Sequence, residues 1–457
     1  MNKPVGRAAS WLASSCLIVF ASQPVRAADD ASPAATAEAA PMSPDESKPA
    51  AAPTTWLGSI KFSAQVEGGI IVNPDRPNNG LNFGQLFTDR ANQAVMNQLL
   101  LGVQRPIDSK ASGYDFGFQF QALYGTDARY TPFLGELENL SASRYQLSVI
   151  SANVQAHLPW LTAGGIDLKA GQYPSPLGFE TIDPSTNPFY SHSYIFNFGV
   201  PFLHTGAMGI WHATSMLDIY GGVDSGNFTT FGGGDNNQAA AGLLGAGVTL
   251  LGGNLTILGL THFGPESPTF LFNSLTPSAN ANGFWRWFND IVVTYKASDK
   301  LSFTTELNWI REGGAPLTNP DGTTKYATAN GFGAAQYVSY ALSDTIALNG
   351  RAEIWRDDNG FFVAAFRGPH DFTNSLFGFP APGVVTAEPT TYSEITLGMT
   401  FKPKIPYAAT FMIRPEIRYD YALTDTRPFN GTKGAPNPTS GRDRGVFTLG
   451  TDFVLGF

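Results

Sequence analysis

Apolar and polar residues alternate with a period of two along most of this chain. In residues 114–124, Tyr114, Phe116, Phe118, Phe120, Ala122 and Tyr124 fall on one side of an extended backbone, with Asp115, Gly117, Gln119 and Gln121 on the other. The last residues repeat the pattern: Phe447, Leu449, Phe453, Leu455 and Phe457 oppose Thr448, Gly450, Asp452, Val454 and Gly456. Such runs predict strands at 60–71, 95–105, 114–124, 146–158, 166–172, 207–211, 217–223, 240–251, 255–262, 285–295, 301–311, 332–342, 346–355, 392–401, 410–421 and 447–457. Residues 239–260 carry no charge and are long enough for a membrane helix, but Gly252-Gly253-Asn254 marks a turn in their middle. Two strands describe them better.

The connections also alternate. Odd-numbered strands lead into long polar loops and even-numbered ones into short turns. Long loops at one end and short turns at the other belong to a transmembrane antiparallel up-and-down β-barrel with both termini in the periplasm. The expected fold is therefore all-β, with about 16 strands. The segment 173–204 is too apolar for a freely solvated loop, with Phe179, Phe189, Tyr190, Tyr194, Phe196, Phe198 and Phe202. This third extracellular loop is expected to fold inward. The loop leading to residue 94 reads as polar, and 357–391 as a long loop.

Charge sharpens the register. In 410–421, Phe411, Ile413, Ile417, Tyr419 and Tyr421 share one face and Arg414, Glu416, Arg418 and Asp420 the other. A slip of one residue would put both arginines in lipid, at about 2–4 kcal/mol each near the midplane. Pro415 interrupts this strand and calls for a local bulge. In 346–355, Asn349, Arg351 and Glu353 face inward. A dry core would not hold so many ionised groups, and a barrel of this size encloses water. The chain is expected to form a water-filled channel for passive diffusion of small hydrophilic solutes or ions. Its pore-lining or constriction residues would be Glu180, His192, Arg351, Glu353, Arg414, Glu416, Arg418 and Asp420. Acids outnumber bases among the inward positions, which suggests a mild cation preference. Opposite charges that simply pair along a polar wall are the alternative for any single residue.

Composition agrees. Charged residues are 14%, against ~25% in soluble proteins, while aromatics reach 13% and glycines number 49. The net charge of −9 argues against a nucleic-acid partner. Lys3 and Arg7, the apolar run 11–21 and Val25-Arg26-Ala27 read as a cleaved signal peptide, residues 1–27. The sole cysteine, Cys16, lies within it. Residues 28–56 are Ala/Pro-rich and expected to be a disordered periplasmic linker, and 57–457 the barrel. The destination would be a Gram-negative outer membrane.

No catalytic motif, cofactor site or metal-spaced Cys/His cluster is found, and no enzyme is expected. His192 and His204 read as hydrogen-bonded loop histidines. Two other readings remain open: an adhesin or receptor barrel acting through extracellular loops such as 357–391, and an outer-membrane hydrolase with a site at the rim. Whether the lumen is open or plugged, and whether the barrel forms homo-oligomers, is not decided by pattern.

Several segments resemble the putative β-barrel porin-2 (OmpL-like) family. They are Gly125-Thr126-Asp127-Ala128-Arg129-Tyr130, Gly171-Gln172-Tyr173-Pro174-Ser175-Pro176-Leu177-Gly178-Phe179-Glu180, Asn187-Pro188-Phe189-Tyr190-Ser191-His192-Ser193 and Pro201-Phe202-Leu203-His204-Thr205-Gly206. The matches span about residues 98–206, and the family commonly carries Arg where His192 stands. The resemblance implies an outer-membrane pore among its lipids. The terminal Phe457 also looks like the assembly signal by which outer-membrane proteins engage the barrel-assembly machinery.

Overall fold

A computed structural model describes residues 55–270, 280–318, 324–431 and 441–457. The expected signal peptide and the linker up to residue 54 lie outside the described residues. The alternating segments form strands because each can turn its apolar side chains out and its polar ones in. In chain order they are β1 (Lys61–Val72), β2 (Ala94–Arg105), β3 (Asp115–Gly125), β4 (Gln146–Leu158), β5 (Ile166–Pro174), β6 (Leu203–His212), β7 (Leu217–Asn227), β8 (Ala241–Leu250) and β9 (Leu255–Pro265). They continue with β10 (Trp285–Lys296), β11 (Leu301–Thr318), β12 (Thr324–Ser343) and β13 (Ile346–Asp357). A small hairpin of β14 (Ala364–Phe366) and β15 (Val384–Thr386) follows, with helix α1 (Asp371–Phe377) between its strands. The sheet resumes with β16 (Thr390–Phe401), β17 (Thr410–Ile413), β18 (Glu416–Ala422) and β19 (Gly445–Gly456).

Neighbouring strands pair antiparallel in chain order, and β1 pairs with both β2 and β19, so the sheet is closed. Counting β17 and β18 as one interrupted strand, sixteen strands make the barrel. Where Pro415 predicts a bulge, the strand breaks instead without losing register. Ile413 faces Phe453 and Glu416 faces Gly450, three residues on in each strand. The proline lacks an N–H, yet its carbonyl still accepts from Met399 N at 3.0 Å.

The uncharged segment is a hairpin turning through Leu251–Gly253, where Leu251, Gly252 and Gly253 have φ of 52°, 63° and 91°. No helix among the described residues is long and apolar enough to cross a membrane. Phe62, Leu101, Phe116, Leu307, Ile354, Leu397 and Phe453 are exposed on the outer face. In a bilayer this belt meets hydrocarbon, and closure leaves no strand edge unpaired there.

Phe457 takes part in the closing pair of β1 and β19. Phe457 N donates to Ala64 O at 2.9 Å and Ala64 N to Phe457 O at 3.4 Å, while Gln65 faces Gly456. Deleting Phe457 is expected to lower the fraction of heat-modifiable, folded protein reaching the outer membrane. Unchanged recovery would remove the residue from assembly.

Three connections depart from expectation. β11 runs on past 311 to Thr318 and β12 begins before 332, at Thr324; the Asn319–Gly322 stretch expected between them lies outside the described residues. The connection 73–93 is not a polar surface loop, because Leu81, Phe83, Leu86 and Phe87 are buried with Asn82, Gln85, Thr88 and Asp89. Residues 358–389 contain the hairpin and α1. Phe372 of α1 packs edge-on against Tyr130 (5.3 Å between ring centroids), Phe228 (5.5 Å) and Phe366 (5.1 Å). The long-loop end is thus drawn over the barrel by aromatic packing.

Candidate functional site

The segment 175–202 joins β5 to β6, and most of it is buried against the inner wall. Its turns come from its own sequence. Asp183 caps a short 3-10 turn, Pro184–Thr186, by accepting from Ser185 N at 2.9 Å. Residues Ile195–Gly199 form one π-helical turn. A loop with this little regular structure has many backbone groups to satisfy once buried.

The wall satisfies them in two chemically matched ways. Arginines donate to loop carbonyls. Arg351 Nη1 reaches Ser191 O at 2.9 Å, Arg414 Nη1 reaches Pro184 O and Asn187 O at 2.7 and 2.8 Å, and Arg418 Nη1 reaches His192 O at 2.6 Å. Carboxylates accept from loop N–H groups. Glu416 takes Tyr190 N (2.9 Å) and Ser191 N (3.2 Å), Glu353 takes Tyr194 N (2.6 Å) and Ile195 N (2.8 Å), and Glu306 takes Phe179 N (3.0 Å). Asp290 takes Gly178 N at 3.2 Å, and Asn308 Nδ2 donates to Gly199 O at 3.1 Å.

The three arginines also pair with carboxylates. Arg351 holds Glu394 (3.0 Å) and the loop's own Glu180 (2.6 Å), Arg418 grips Asp420 with two bonds (2.8 and 2.7 Å), and Arg414 pairs with Asp452 and with Glu67 (3.1 Å). A planar fork with five N–H groups can serve a carboxylate and a carbonyl together, which a lysine ammonium does less well. Arg351 also lies 5.0 Å over the Phe189 ring and Arg418 5.5 Å over Tyr194.

The structure thus brings Glu180 and His192 of the loop together with Arg351, Glu353, Arg414, Glu416, Arg418 and Asp420 of the wall in one cluster, all buried between loop and wall rather than turned to open solvent. His192 stacks on Phe196 (4.1 Å between centroids), and its Nδ1 lies 3.1 Å from Glu180 Oε2. In the loop, outside the spanning strands, burial pushes the Glu180 carboxyl up, but Arg351 foremost, then His192 and the Ser193 N–H, holds it down to about 2. Burial keeps His192 below its usual value, against the opposing pull of Glu180.

Sequence reading missed a second layer. Phe87 contacts His192 (5.2 Å), Phe196 (5.5 Å) and Phe202 (5.8 Å), so the 73–93 loop backs the third loop. Asp89 receives Arg129 Nη2 (3.1 Å) and Tyr130 Oη (3.0 Å), and Asp127 receives Asn97 and Gln98 side chains at 3.0 Å each. The available signal was the cluster Leu81, Phe83, Leu86 and Phe87 inside a nominally polar stretch.

What the loop leaves uncovered is chemically different. Gln104, Gln119, Gln121, Gln155 and Lys169 of β2–β5 are half-buried, as are Thr181, Asp183 and Ser185 of the loop, and Thr186 is exposed. The amides link up: Gln119 Nε2 lies 3.4 Å from both Gln104 Oε1 and Gln121 Oε1, and Ser151 Oγ donates to Gln119 Oε1 at 3.0 Å.

Residues 59–457 match the model of the family described as putative beta-barrel porin-2, OmpL-like. No curated protein matches the sequence significantly. Among solved structures, the fold is similar to the outer membrane channel DcaP of Acinetobacter baumannii (TM-score 0.51, 11% identity, covering 87% of this chain and 97% of that one). It is also similar to an anion-selective porin from Comamonas acidovorans (TM-score 0.51, 8% identity, 87% and 99%). A third is OmpF of Salmonella typhi, solved with daunomycin (TM-score 0.50, 10% identity, 87% and 97%). At these identities the likeness establishes the barrel fold.

Proposed function

This chain belongs to the putative beta-barrel porin-2, OmpL-like family, and on that premise we propose that its third loop is a fixed constriction, with the passage confined to the amide-lined side of the barrel. The protein is an outer-membrane porin for passive diffusion. One observation carries the finer reading: three buried arginines donate to loop carbonyls while wall carboxylates accept loop N–H groups. Each bond sits out of water, where an unpaired member is costly, so the loop behaves as part of the wall and not as a gate.

Solutes then pass between Thr181, Asp183, Ser185 and Thr186 of the loop and Gln104, Gln119, Gln121 and Gln155 of β2–β5. Neutral amides and hydroxyls hydrogen-bond passing solutes weakly and from many sites, which favours small hydrophilic molecules and sustained flux. The loop stands between the buried ions and this passage. Ion preference is therefore set by exposed and half-buried groups such as Lys61, Lys169 and Asp183, not by the acidic excess of the whole wall.

Single-channel recording in planar bilayers tests this. Wild-type protein should give steady conductance steps. The Gln119→Glu, Gln121→Glu double variant should shift the reversal potential in a salt gradient toward cations, with step size little changed. Folded protein without conductance, or a reversal potential unmoved by two added charges, would defeat the proposed path.

A further inference from the structure

Where the third loop returns to the wall, β6, β7 and β9 place three ligand-type side chains together: His204, Asp224 and His262. All three are buried, the two histidines completely. His262 Nε2 lies 3.0 and 3.2 Å from the two Asp224 oxygens, and His204 Nδ1 lies 3.5 Å from Asp224 Oδ2. The imidazole centroids are 4.5 Å apart, and one ligand atom from each residue lies within 4.8 Å of the others.

A hydrogen-bonded His–Asp pair accounts for His262 Nε2 alone. Both ring nitrogens of His204 and Nδ1 of His262 have no hydrogen-bond partner. A neutral imidazole has one donor and one acceptor nitrogen, and apart from the long 3.5 Å contact of Nδ1 with Asp224 neither tautomer of His204 finds a partner for its buried nitrogens. The Tyr173 hydroxyl, on a ring 5.9 Å from His204, is also buried without a partner. Glu266 Oε1 stands 4.0 Å from His262 Nδ1, but its carboxylate already accepts from Asn227 N. Buried polar atoms in this number, within one small cluster, call for a further partner.

We infer that His204, Asp224 and His262 bind a divalent transition-metal ion, with Zn²⁺ the ion that this ligand set fits best. Two imidazoles and a carboxylate are common donors to such ions, whereas Ca²⁺ and Mg²⁺ favour all-oxygen sites. Tetrahedral coordination at Zn–N and Zn–O lengths near 2.0–2.1 Å puts ligand atoms roughly 3.3–3.5 Å apart. From the single oxygen Asp224 Oδ2, His262 Nε2 at 3.2 Å and His204 Nδ1 at 3.5 Å are close to that separation. Tyr173, with its unpartnered hydroxyl, or water completes the fourth position. Because the site is closed to solvent, the ion is acquired during folding and stays. It joins β6, β7 and β9 beside the point where Phe202 and Leu203 leave the loop, and so fixes the loop's return. This inference is independent of the proposed solute path.

A second histidine cluster could mislead a binding measurement. His157, Asp167, His212 and Asp218 gather near the short-turn end; His157 is buried and the other three are half-buried. The test therefore uses tag-free, full-length protein carrying His157→Gln and His212→Gln. It is refolded in detergent with Zn²⁺, dialysed against a mild chelator, confirmed folded by heat-modifiable migration, and assayed for metal by mass spectrometry. About one equivalent should remain in this background and be lost on adding His204→Gln or Asp224→Asn. Retention below about a tenth of an equivalent by the background, or equal retention by the added variants, would overturn the site. Should the added variants not fold, Co²⁺ refolded into the background decides. Intense four-coordinate ligand-field bands support the site, and weak six-coordinate bands or none refute it.

Discussion

Replacing Arg351 with methionine is expected to release the third loop, giving larger and noisier conductance steps and protease cleavage within 175–202. Methionine keeps much of the stem volume but leaves Glu180 and Glu394 buried without the cation that both contact, and Ser191 O without its donor. Removing one member of a buried ion pair costs about 3–5 kcal/mol. The barrel ladder does not depend on this side chain, so the cost falls on the loop, which can escape it by letting water reach the carboxylates. Arg351→Lys should lie between the two, because an ammonium keeps the charge but cannot serve Glu180, Glu394 and Ser191 in the same fork geometry. Adding Glu180→Gln to Arg351→Met should recover part of the loss, since one stranded charge is then gone. Planar-bilayer recording and limited proteolysis read both effects. A methionine variant with wild-type conductance and protease resistance would show that the loop is held by its packing alone.

The second large effect is expected at Trp355, where alanine should lower the temperature of barrel unfolding and loosen the same loop from its other side. The indole is completely buried in a slot made by missing side chains. A Cβ on Gly199 of the loop would come within 2.9 Å of the ring, and one on Gly331 or Gly333 of β12 within 2.7 or 2.8 Å. Its Nε1 has no hydrogen-bond partner, so truncation removes packing and strands no polar group. Trp→Ala at such a site costs about 3–5 kcal/mol, because glycine backbones on three sides cannot fill the void. The converse, Gly333→Val, fills the slot and displaces the ring and Ile195, whose side chain already lies 2.5 Å from a Cβ position there. Heat-modifiability midpoints in detergent measure both. An alanine variant that unfolds at the wild-type midpoint would mean that the slot closes around the loss.

Strand positions, register and loop alternation were legible in the sequence because they are local. Each strand reports its own period, and a charge such as Arg418 can avoid lipid in one register only. The inward fold of 173–204 was legible for the same reason, since its aromatic content conflicts with free solvation. The 73–93 connection was not, because its four apolar residues are diluted by polar ones that find buried partners only after folding, as Asp89 does in Arg129 and Tyr130. The identity of the inward charges was readable, but their fate was not. Arg414 meets Glu67 from the far end of the chain and Arg351 meets Glu180 across half the barrel, and no window of sequence contains either pair.

By itself the sequence determined a membrane barrel with a charged inner face and one intruding loop. The tertiary structure alone decided that those charges clamp the loop backbone, and that His204, Asp224 and His262 meet behind it. The physical reason is that alternation selects a face residue by residue, whereas partners across a lumen are set by closure of the sheet, which brings together side chains far apart in the chain.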